Sequence, residues 1–168
     1  MGDRAAFAVL ATRYQRPLYN AAYHVLGNVE DANDVTQVVF VRMLERLDEY
    51  DPRYKFFSWI YRIAINESIN VLRRNGREEP IDDDVDLPEP DEADPESRLY
   101  GGQMADRVQK AMMSMKTEDR VVLTLRHFSE CSYREMAEIL KLEEKTVKSR
   151  LFEARRRLAA LLKNVVTN

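Results

Sequence analysis

Residues 50–74 read YDPRYKFFSWIYRIAINESINVLRR, and this stretch is unusually rich in aromatic and basic side chains. Six of the chain's 15 aromatic residues lie within twelve positions of it: Tyr50, Tyr54, Phe56, Phe57, Trp59 and Tyr61. Because aromatic rings stack on bases and cationic side chains neutralise phosphates, this combination favours a surface that binds single-stranded nucleic acid. The alternative is a partly buried tryptophan beside extended arginines, since aromatic side chains most often pack in cores.

From about Phe56 the same stretch follows the period of an amphipathic helix, which is expected to end near Asn75-Gly76. One predicted face should pack on the core and consists of Phe57, Ile60, Tyr61, Ala64, Ser68, Val71 and Leu72. The opposite face carries Trp59, Arg62, Asn66, Asn70 and Arg73. The helix therefore presents its polar and aromatic side chains away from the core.

The composition is that of a globular protein, with 33% charged and 45% hydrophobic residues among 168. No apolar run approaches the roughly 18 residues of a membrane span, and no signal peptide is recognisable, so we expect a cytoplasmic protein without a membrane partner. The single cysteine, Cys131, excludes an intrachain disulfide, fits a reducing compartment and is expected to be semi-buried.

Nothing in the sequence is typical of an enzyme. His24, His127 and Cys131 lack the spacing of metal ligands, and neither a nucleophile motif nor a glycine-rich phosphate loop is present. We therefore predict no catalytic residue, no metal and no cofactor. Helix formers dominate and alternating β-branched residues are rare, which favours an all-α fold.

The charge is unevenly distributed along the chain. The net charge is −3, but residues 76–97 contain eleven acidic residues, four prolines and one base, which leaves 25 bases against 18 acids elsewhere. This pattern predicts two small basic helical domains, residues 1–75 and 99–168, joined by a flexible acidic linker at 76–98. The linker is either an ordinary connection or an acidic strand that fits a basic, nucleic-acid-shaped channel.

Two further helices are predicted before the aromatic stretch. The first extends to Leu26, with Pro17 expected to kink or break it, and the second extends to about Leu47. Val38 falls on the polar side of the second helix, either as a stray surface valine or as part of a protein-binding face. The expected core residues are Phe7, Leu10, Ala11, Tyr14, Leu18 and Ala21, then Ala32, Val39, Phe40, Met43 and Leu47.

The C-terminal part shows the pattern of a helix-turn-helix. Ser132 and Glu135 form a capping box before a short helix, and a longer helix begins near Glu144. Upstream, Thr117 is expected to cap a helix that continues to Phe128. Six bases and one acid between residues 145 and 157 fit a recognition helix in the DNA major groove. The alternative is a charged, solvated helix of a three- or four-helix bundle.

Taken in this order, the motifs resemble a bacterial RNA polymerase sigma factor of the sigma-70 family, extracytoplasmic-function (ECF) group. The resemblance covers nearly the whole chain and rests on AAFAVLATRYQRPLY (5–19), DANDVTQVVFVRML (31–44), FFSWIYRIAINESINVLRR (56–74) and SYREMAEILKLEEKTVKSRLFEARRRL (132–158). The combination of WIYRIAIN with TVKSRLFEARRRL at this distance is highly specific, whereas either half alone is only suggestive.

The resemblance implies a promoter-specificity subunit that binds the β′ clamp helices and the β flap of core RNA polymerase. Its linker would thread the active-site and RNA-exit channel. The residues implied to capture a flipped base and the single strand of the −10 element are Arg53, Tyr54, Lys55, Phe56, Trp59, Arg62, Asn66 and Arg73. Those implied to contact the −35 element are Lys145, Thr146, Lys148, Ser149, Phe152, Arg155 and Arg156. Those implied to bind core polymerase are Asp31, Asp34, Gln37, Val38, Val41 and Glu45.

Three positions depart from the family pattern. Val38 stands where the family usually has an acid, which removes a negative charge from the polymerase-binding face. Phosphorylation of the nearby Thr36 by a Ser/Thr kinase would restore one, although helical spacing turns Thr36 toward the core. Glu153 stands where a base is common, and Lys141 replaces the usual turn glycine.

We therefore predict an alternative sigma factor whose partners are core RNA polymerase and promoter DNA, with an anti-sigma factor or a Ser/Thr kinase as further candidates. The second hypothesis is a helix-turn-helix regulator that binds duplex DNA without polymerase. The third is a helical signalling or anti-sigma-binding module. A duplex-only regulator needs neither the Trp59–Asn66 face nor the acidic linker, so these two features favour the sigma factor.

Overall fold

The computed structural model describes residues 4–76 and 101–166, and within them it contains seven α-helices and no strand. The all-α prediction is therefore confirmed. The predicted linker lies, apart from Gly76, outside the described residues. The helices are α1 (Arg4–Leu26), α2 (Val29–Glu45), α3 (Phe56–Arg74), α4 (Gly101–Met113), α5 (Thr117–Leu123), α6 (Tyr133–Leu140) and α7 (Glu144–Val166). A 3₁₀ turn (Leu47–Glu49) follows α2, and a π-helical turn (Thr124–Phe128) continues α5.

Helices α1, α2 and α3 pack on one another around fully buried side chains, among them Leu18, Val39 and Ile60. An Asn28 cap begins α2, because its side-chain oxygen accepts a hydrogen bond from the Asp31 amide at 2.9 Å. The predicted core face of α3 is buried or half-buried throughout. The three helices thus form one unit, which we call the N-terminal domain.

Four details of the sequence prediction need correction. Helix α1 continues through Pro17 without a break, since a proline removes one backbone donor and the packing on both sides keeps the helix intact. Leu47 is 49% exposed rather than buried, because α2 ends at Glu45 and Leu47 starts the 3₁₀ turn. Thr117 is the first residue of α5 rather than its cap. Cys131 is fully buried, and burial raises the pKa of its thiol to about 12.

The helices from α4 to α7 form a second unit, the C-terminal domain, and it contains the predicted helix-turn-helix. The capping box of α6 is present, because the Glu135 amide donates to Ser132 Oγ at 3.1 Å and the Ser132 amide donates to Glu135 Oε1 at 2.9 Å. Buried Met136 and Leu151 join α6 and α7. Lys141 takes the left-handed conformation (φ 53°) that the turn requires.

The two domains pack against each other through a continuous apolar core. On one side, His24 Nδ1 of α1 lies 2.8 Å from Gln109 Oε1 of α4, and the His24 ring stacks on Phe128 with ring centroids 3.7 Å apart. Gly27 (φ 70°) lets α1 end against Met113, because a β-carbon there would lie 2.5 Å from the Met113 sulfur. On the other side, α3 packs on α6.

None of the helices in the described ranges combines the length and the hydropathy that a membrane crossing requires.

Candidate nucleic-acid interface

The aromatic side chains around the start of α3 form a cluster. The rings of Tyr50, Phe56 and Trp59 lie 5.4–5.5 Å from one another between centroids, and Tyr14 of α1 lies 5.6 Å from Phe56. These rings are half-buried, whereas Tyr54 is 55% exposed. The cluster therefore combines both sequence interpretations: the rings pack on one another, and their edges reach the surface beside Tyr54.

A turn stabilised by Asp51 presents this cluster. The Asp51 carboxylate accepts hydrogen bonds from the backbone amide of Arg53 at 3.0 Å and from the Arg53 guanidinium at 2.7 Å. The hydrogen bonds from Arg53 lower the pKa of Asp51 below its usual value. The Tyr50 hydroxyl donates to the Tyr54 carbonyl at 2.9 Å. Arg53 is thus held by Asp51 while its side chain stays 85% exposed, so it remains accessible to a phosphate.

Three of the predicted −10 residues meet in one groove. Trp59, Arg62 and Asn66 line a cavity of about 320 Å³ together with Arg42 and Arg46 from the end of α2. Arg42 and Arg46 were not among the predicted −10 residues, because their position beside α3 depends on how α2 crosses it. Arg42 also forms an ion pair with buried Glu67 of α3, and this contact fixes the crossing.

The C-terminal domain covers other parts of the same surface. A cavity of about 350 Å³ has Tyr50, Tyr54 and Trp59 on one wall and Glu138 and Lys141 on the other. A second cavity of about 370 Å³ contains Asn66 and Arg73 of α3 together with C-terminal residues that include Arg150. Five of the eight predicted −10 residues therefore line cavities that α6 and its turn help to form, namely Tyr54, Trp59, Arg62, Asn66 and Arg73.

The outer face of α7 carries the predicted −35 residues. Lys145, Lys148, Ser149 and Arg155 are exposed, Phe152 is 59% exposed, and Thr146 is half-buried. Arg156 lies 3.6 Å from Glu153, the acid that replaces a base of the family pattern. Arg157 does not belong to this face, because its guanidinium donates to both oxygens of buried Asp119 at 3.0 and 3.1 Å and ties α7 to α5.

Two residues outside the predicted −35 set support this face. The Tyr133 ring lies 5.4 Å from Lys148 Nζ and 4.5 Å from the Arg126 guanidinium carbon, both in cation–π geometry. Arg155 Nε donates to His127 Nε2 at 3.1 Å, and burial together with the adjacent Arg155 and Arg126 lowers the pKa of His127. A neutral His127 is therefore the acceptor that orients Arg155.

The outer face of α2 carries the predicted polymerase-binding residues. Its apolar strip consists of Val38, Val41 and Leu44, which are 37%, 54% and 54% exposed. Leu44 was missing from the predicted set. Exposed polar side chains flank the strip, namely Asp34, Gln37 and Glu45, whereas Asp31 is half-buried. Such a strip with an acidic rim is suited to binding another protein.

Thr36 lies behind this face. It is 6% exposed, and its hydroxyl donates to the Ala32 carbonyl at 2.7 Å. Thr36 also lines a groove of about 650 Å³ between α1 and α2, whose polar lining includes Arg16 and Asn33. The described residues contain no cluster of three or more His, Cys, Asp or Glu side chains placed to hold a metal ion.

The sequence matches two protein-family models. "Sigma-70 region 2" matches residues 10–78, and "Sigma-70, region 4" matches residues 105–158. The ECF RNA polymerase sigma factor SigW of Bacillus subtilis (strain 168) is 30% identical over 98% of this chain and 92% of its own length. The ECF RNA polymerase sigma-E factor of Escherichia coli (strain K12) is 31% identical over 92% of this chain and 85% of its own length.

Two solved structures share the fold. One is CnrH in complex with the cytosolic domain of CnrY, with a TM-score of 0.70 and 28% identity over 97% of this chain and 91% of the other. The second is the sigma factor RpoE in complex with the anti-sigma factor NepR from Bartonella quintana, with a TM-score of 0.72 and 25% identity over 94% of this chain and 97% of the other.

Proposed function

The chain belongs to the ECF group of the sigma-70 family, and from this premise we propose how it directs transcription initiation as an alternative sigma factor. It acts in the cytoplasm as a subunit of RNA polymerase holoenzyme and contributes no catalysis of its own. The observation that carries the proposal is the pairing, in one chain, of an exposed basic helix-turn-helix face with a separate aromatic and basic groove on α3.

The two domains divide the promoter between them. We assign residues 1–75 to polymerase binding and −10 recognition and residues 99–168 to −35 recognition, with 76–98 as the linker. The matched family segments at 10–78 and 105–158 support this division. A duplex-binding regulator that works without polymerase has no use for the first domain's groove.

In the −10 element, one unstacked base enters the groove of Trp59, Arg62 and Asn66. Removing a base from the stack costs a few kcal/mol, and ring contacts with the aromatic cluster and hydrogen bonds from Asn66 offset that cost. Arg53, Lys55 and Arg73 neutralise the adjacent phosphates, while Tyr54 and Phe56 supply further stacking surface. The 55% exposure of Tyr54 supports this role.

In the −35 element, α7 enters the major groove. Lys148, Ser149, Phe152 and Arg155 face base edges, while other side chains position the helix on the phosphates. The positioning set is Lys145, Thr146 and Arg156. The ion pair of Arg156 with Glu153 weakens one of these contacts, because the phosphate must compete with the carboxylate.

Core polymerase binds the outer face of α2 through Val38, Val41 and the flanking polar side chains. Because Val38 stands where the family usually has an acid, this face carries one negative charge fewer than the family pattern. We propose that phosphorylation of Thr36 supplies that charge when a kinase acts on it. The Thr36 hydroxyl must first release the Ala32 carbonyl, so a kinase acts on a locally opened α2. Intact mass after Ser/Thr kinase treatment, with Thr36→Ala as control, tests this step. An unmodified Thr36 in an active cell extract rejects it.

The main experiment measures binding to purified core RNA polymerase and then run-off transcription. We expect native protein to bind and initiate, and Val38→Glu to bind several-fold more tightly because it restores a rim charge. Val9→Glu is the matched control, since Val9 is a 66% exposed valine on α1. If neither native protein nor Val38→Glu binds polymerase while both still bind duplex DNA, the protein is a plain helix-turn-helix regulator.

An anti-sigma factor is a further proposed partner. The two solved structures that share this fold each contain a second protein, the cytosolic domain of CnrY in one and the anti-sigma factor NepR in the other. The present chain shares their fold, which supports a partner of the same kind. Co-purification of a tagged chain from its native host, followed by mass spectrometry, tests this proposal, and recovery of polymerase subunits alone counts against it.

A further inference from the structure

Helix α6 places two carboxylates on the surface that the −10 strand is proposed to use. Ser58 Oγ, in the first turn of α3, donates to Glu138 Oε2 at 2.8 Å. Lys55 Nζ, immediately before α3, lies 3.7 Å from Glu135 Oε2. The two glutamates are three residues apart on one face of α6, so a single helix supplies both contacts.

The two contacts have the chemistry of phosphate contacts. The first turn of a helix favours an anion, because its amide groups point outward and the helix dipole is positive there. Lys55 begins α3 without a side-chain cap, and Glu138 binds Ser58 in the uncapped first turn. A hydroxyl and an ammonium group one turn apart would bind two neighbouring phosphates equally well. We infer that Glu135 and Glu138 take the place of −10 strand phosphates, so that the chain's own α6 is an intramolecular competitor of the −10 single strand.

The same helix also covers the aromatic part of the surface that is proposed to stack on the strand. Glu138 and Lys141 form the wall that faces Tyr54, Trp59 and Arg62 across the cavity of about 350 Å³. Ser58 is only 3% exposed while α6 is in place. A strand cannot reach the hydroxyl of Ser58 or stack against Tyr54 from this side unless α6 moves away.

The −35 face is not covered in this arrangement. Lys148, Ser149 and Arg155 are exposed, and Phe152 is 59% exposed. The packed state can therefore bind duplex −35 DNA while it excludes the −10 strand. Promoter recognition then follows an order in which α7 binds duplex first and the −10 strand binds only after α6 has left α3. This inference rests on the proposed function of the two surfaces.

The test uses the full chain and two fluorescent probes, an oligothymidine of about twelve nucleotides and a mixed-sequence duplex. The variant Glu135→Gln with Glu138→Gln removes both charges but keeps the side-chain size, and glutamine still satisfies the capping box. We expect it to bind the single strand about five- to tenfold more tightly than native protein, because it loses two competing charge-assisted contacts. Its duplex binding should stay within about twofold of native. Glu30→Gln with Asp106→Asn, which changes two exposed acids on α2 and α4, is the matched control for the change in net charge.

A second variant tests closure directly. Glu49→Cys and Lys141→Cys place two exposed thiols on opposite walls of the cavity, where a short bismaleimide can join them. The native Cys131 is buried, so it does not react with the reagent. The bridged protein should lose single-strand binding and keep duplex binding, while the same variant without the bridge keeps both.

The outcomes separate this inference from the proposed function. One outcome is equal single-strand binding by native protein, the double glutamine variant and the bridged variant, with duplex binding and run-off transcription intact. This outcome rules out competition by α6 and leaves the sigma-factor proposal standing. Failure of run-off transcription together with loss of single-strand binding in every variant overturns the sigma-factor proposal itself.

Discussion

Among single residues, Lys141 gives the sharpest test of the helix-turn-helix geometry, because it adopts a left-handed backbone with φ of 53°. A β-carbon strains this conformation, whereas glycine adopts it readily. We expect Lys141→Gly to raise the free energy of unfolding by about 0.5–1 kcal/mol in urea denaturation. Lys141→Ala retains the β-carbon and should stay within a few tenths of a kcal/mol of native. Equal stabilisation by both variants would mean that the strain comes from the lysine side chain beyond its β-carbon.

Tyr133 provides a second residue-level prediction, which concerns DNA binding rather than stability. Its ring lies 5.4 Å from Lys148 Nζ and so holds one of the proposed −35 contacts in place. An exposed cation–π contact contributes about 0.5–1 kcal/mol. We expect Tyr133→Leu to weaken binding to −35 duplex about two- to fivefold and Tyr133→Phe to leave it unchanged, as measured by fluorescence anisotropy. Loss in both variants would point to the hydroxyl group rather than the ring.

At the level of helices, periodicity and capping predicted most of the architecture. The bounds of α3 and the capping box of α6 are as predicted, because both depend on neighbouring residues within one or two turns. The prediction that Leu47 is a core residue was wrong, because α2 ends at the 3₁₀ turn that leads to the aromatic cluster. No local sequence pattern marks that turn. The contribution of Arg42 to the α3 groove was also missed, since it depends on the angle at which two helices cross.

The cap of α6 allows an element-level prediction. Ser132 accepts a hydrogen bond from the Glu135 amide at 3.1 Å and begins the helix that supports the recognition helix. We expect Ser132→Ala to lower the free energy of unfolding by about 1 kcal/mol, whereas Ser132→Asp, which keeps an acceptor at the cap, should stay close to native. Urea denaturation of the three proteins measures both effects. Equal losses in both variants would mean that the serine is required for packing rather than for capping.

For the whole molecule, the sequence left open whether the two domains are packed together or apart. The contacts that settle their arrangement join residues far apart in the chain: His24 with Gln109, and Ser58 with Glu138. No periodic pattern reports such pairs, because each partner also looks like an ordinary polar residue on its own helix. The same contacts decide which surfaces are covered, so the accessibility of the candidate −10 site is a property of the whole molecule rather than of α3.

The half-buried position of His24 makes this domain packing sensitive to pH. Burial between α1 and the C-terminal domain lowers the pKa of His24 below its usual value of 6.5, although the hydrogen bond with Gln109 partly opposes the shift. A separated or unfolded chain, whose His24 titrates near 6.5, therefore takes up a proton before the packed chain does. The stabilisation due to neutral His24 is present above pH 6.5 and decreases as the pH falls below that value.

We therefore expect the free energy of unfolding to be lower at about pH 5.5 than at about pH 7.5, and His24→Gln to reduce this difference. The pKa of His127 is lowered in the same way, so His127→Gln is the matched control. It should remove only the contribution of His127 to the difference between the two pH values. Urea denaturation of the three proteins at both pH values gives the measurement. If the domains separate as His24 is protonated, single-strand binding should rise at the lower pH in native protein and change less in His24→Gln. A native protein whose stability does not change between the two pH values would show that protonation of His24 is not coupled to domain packing.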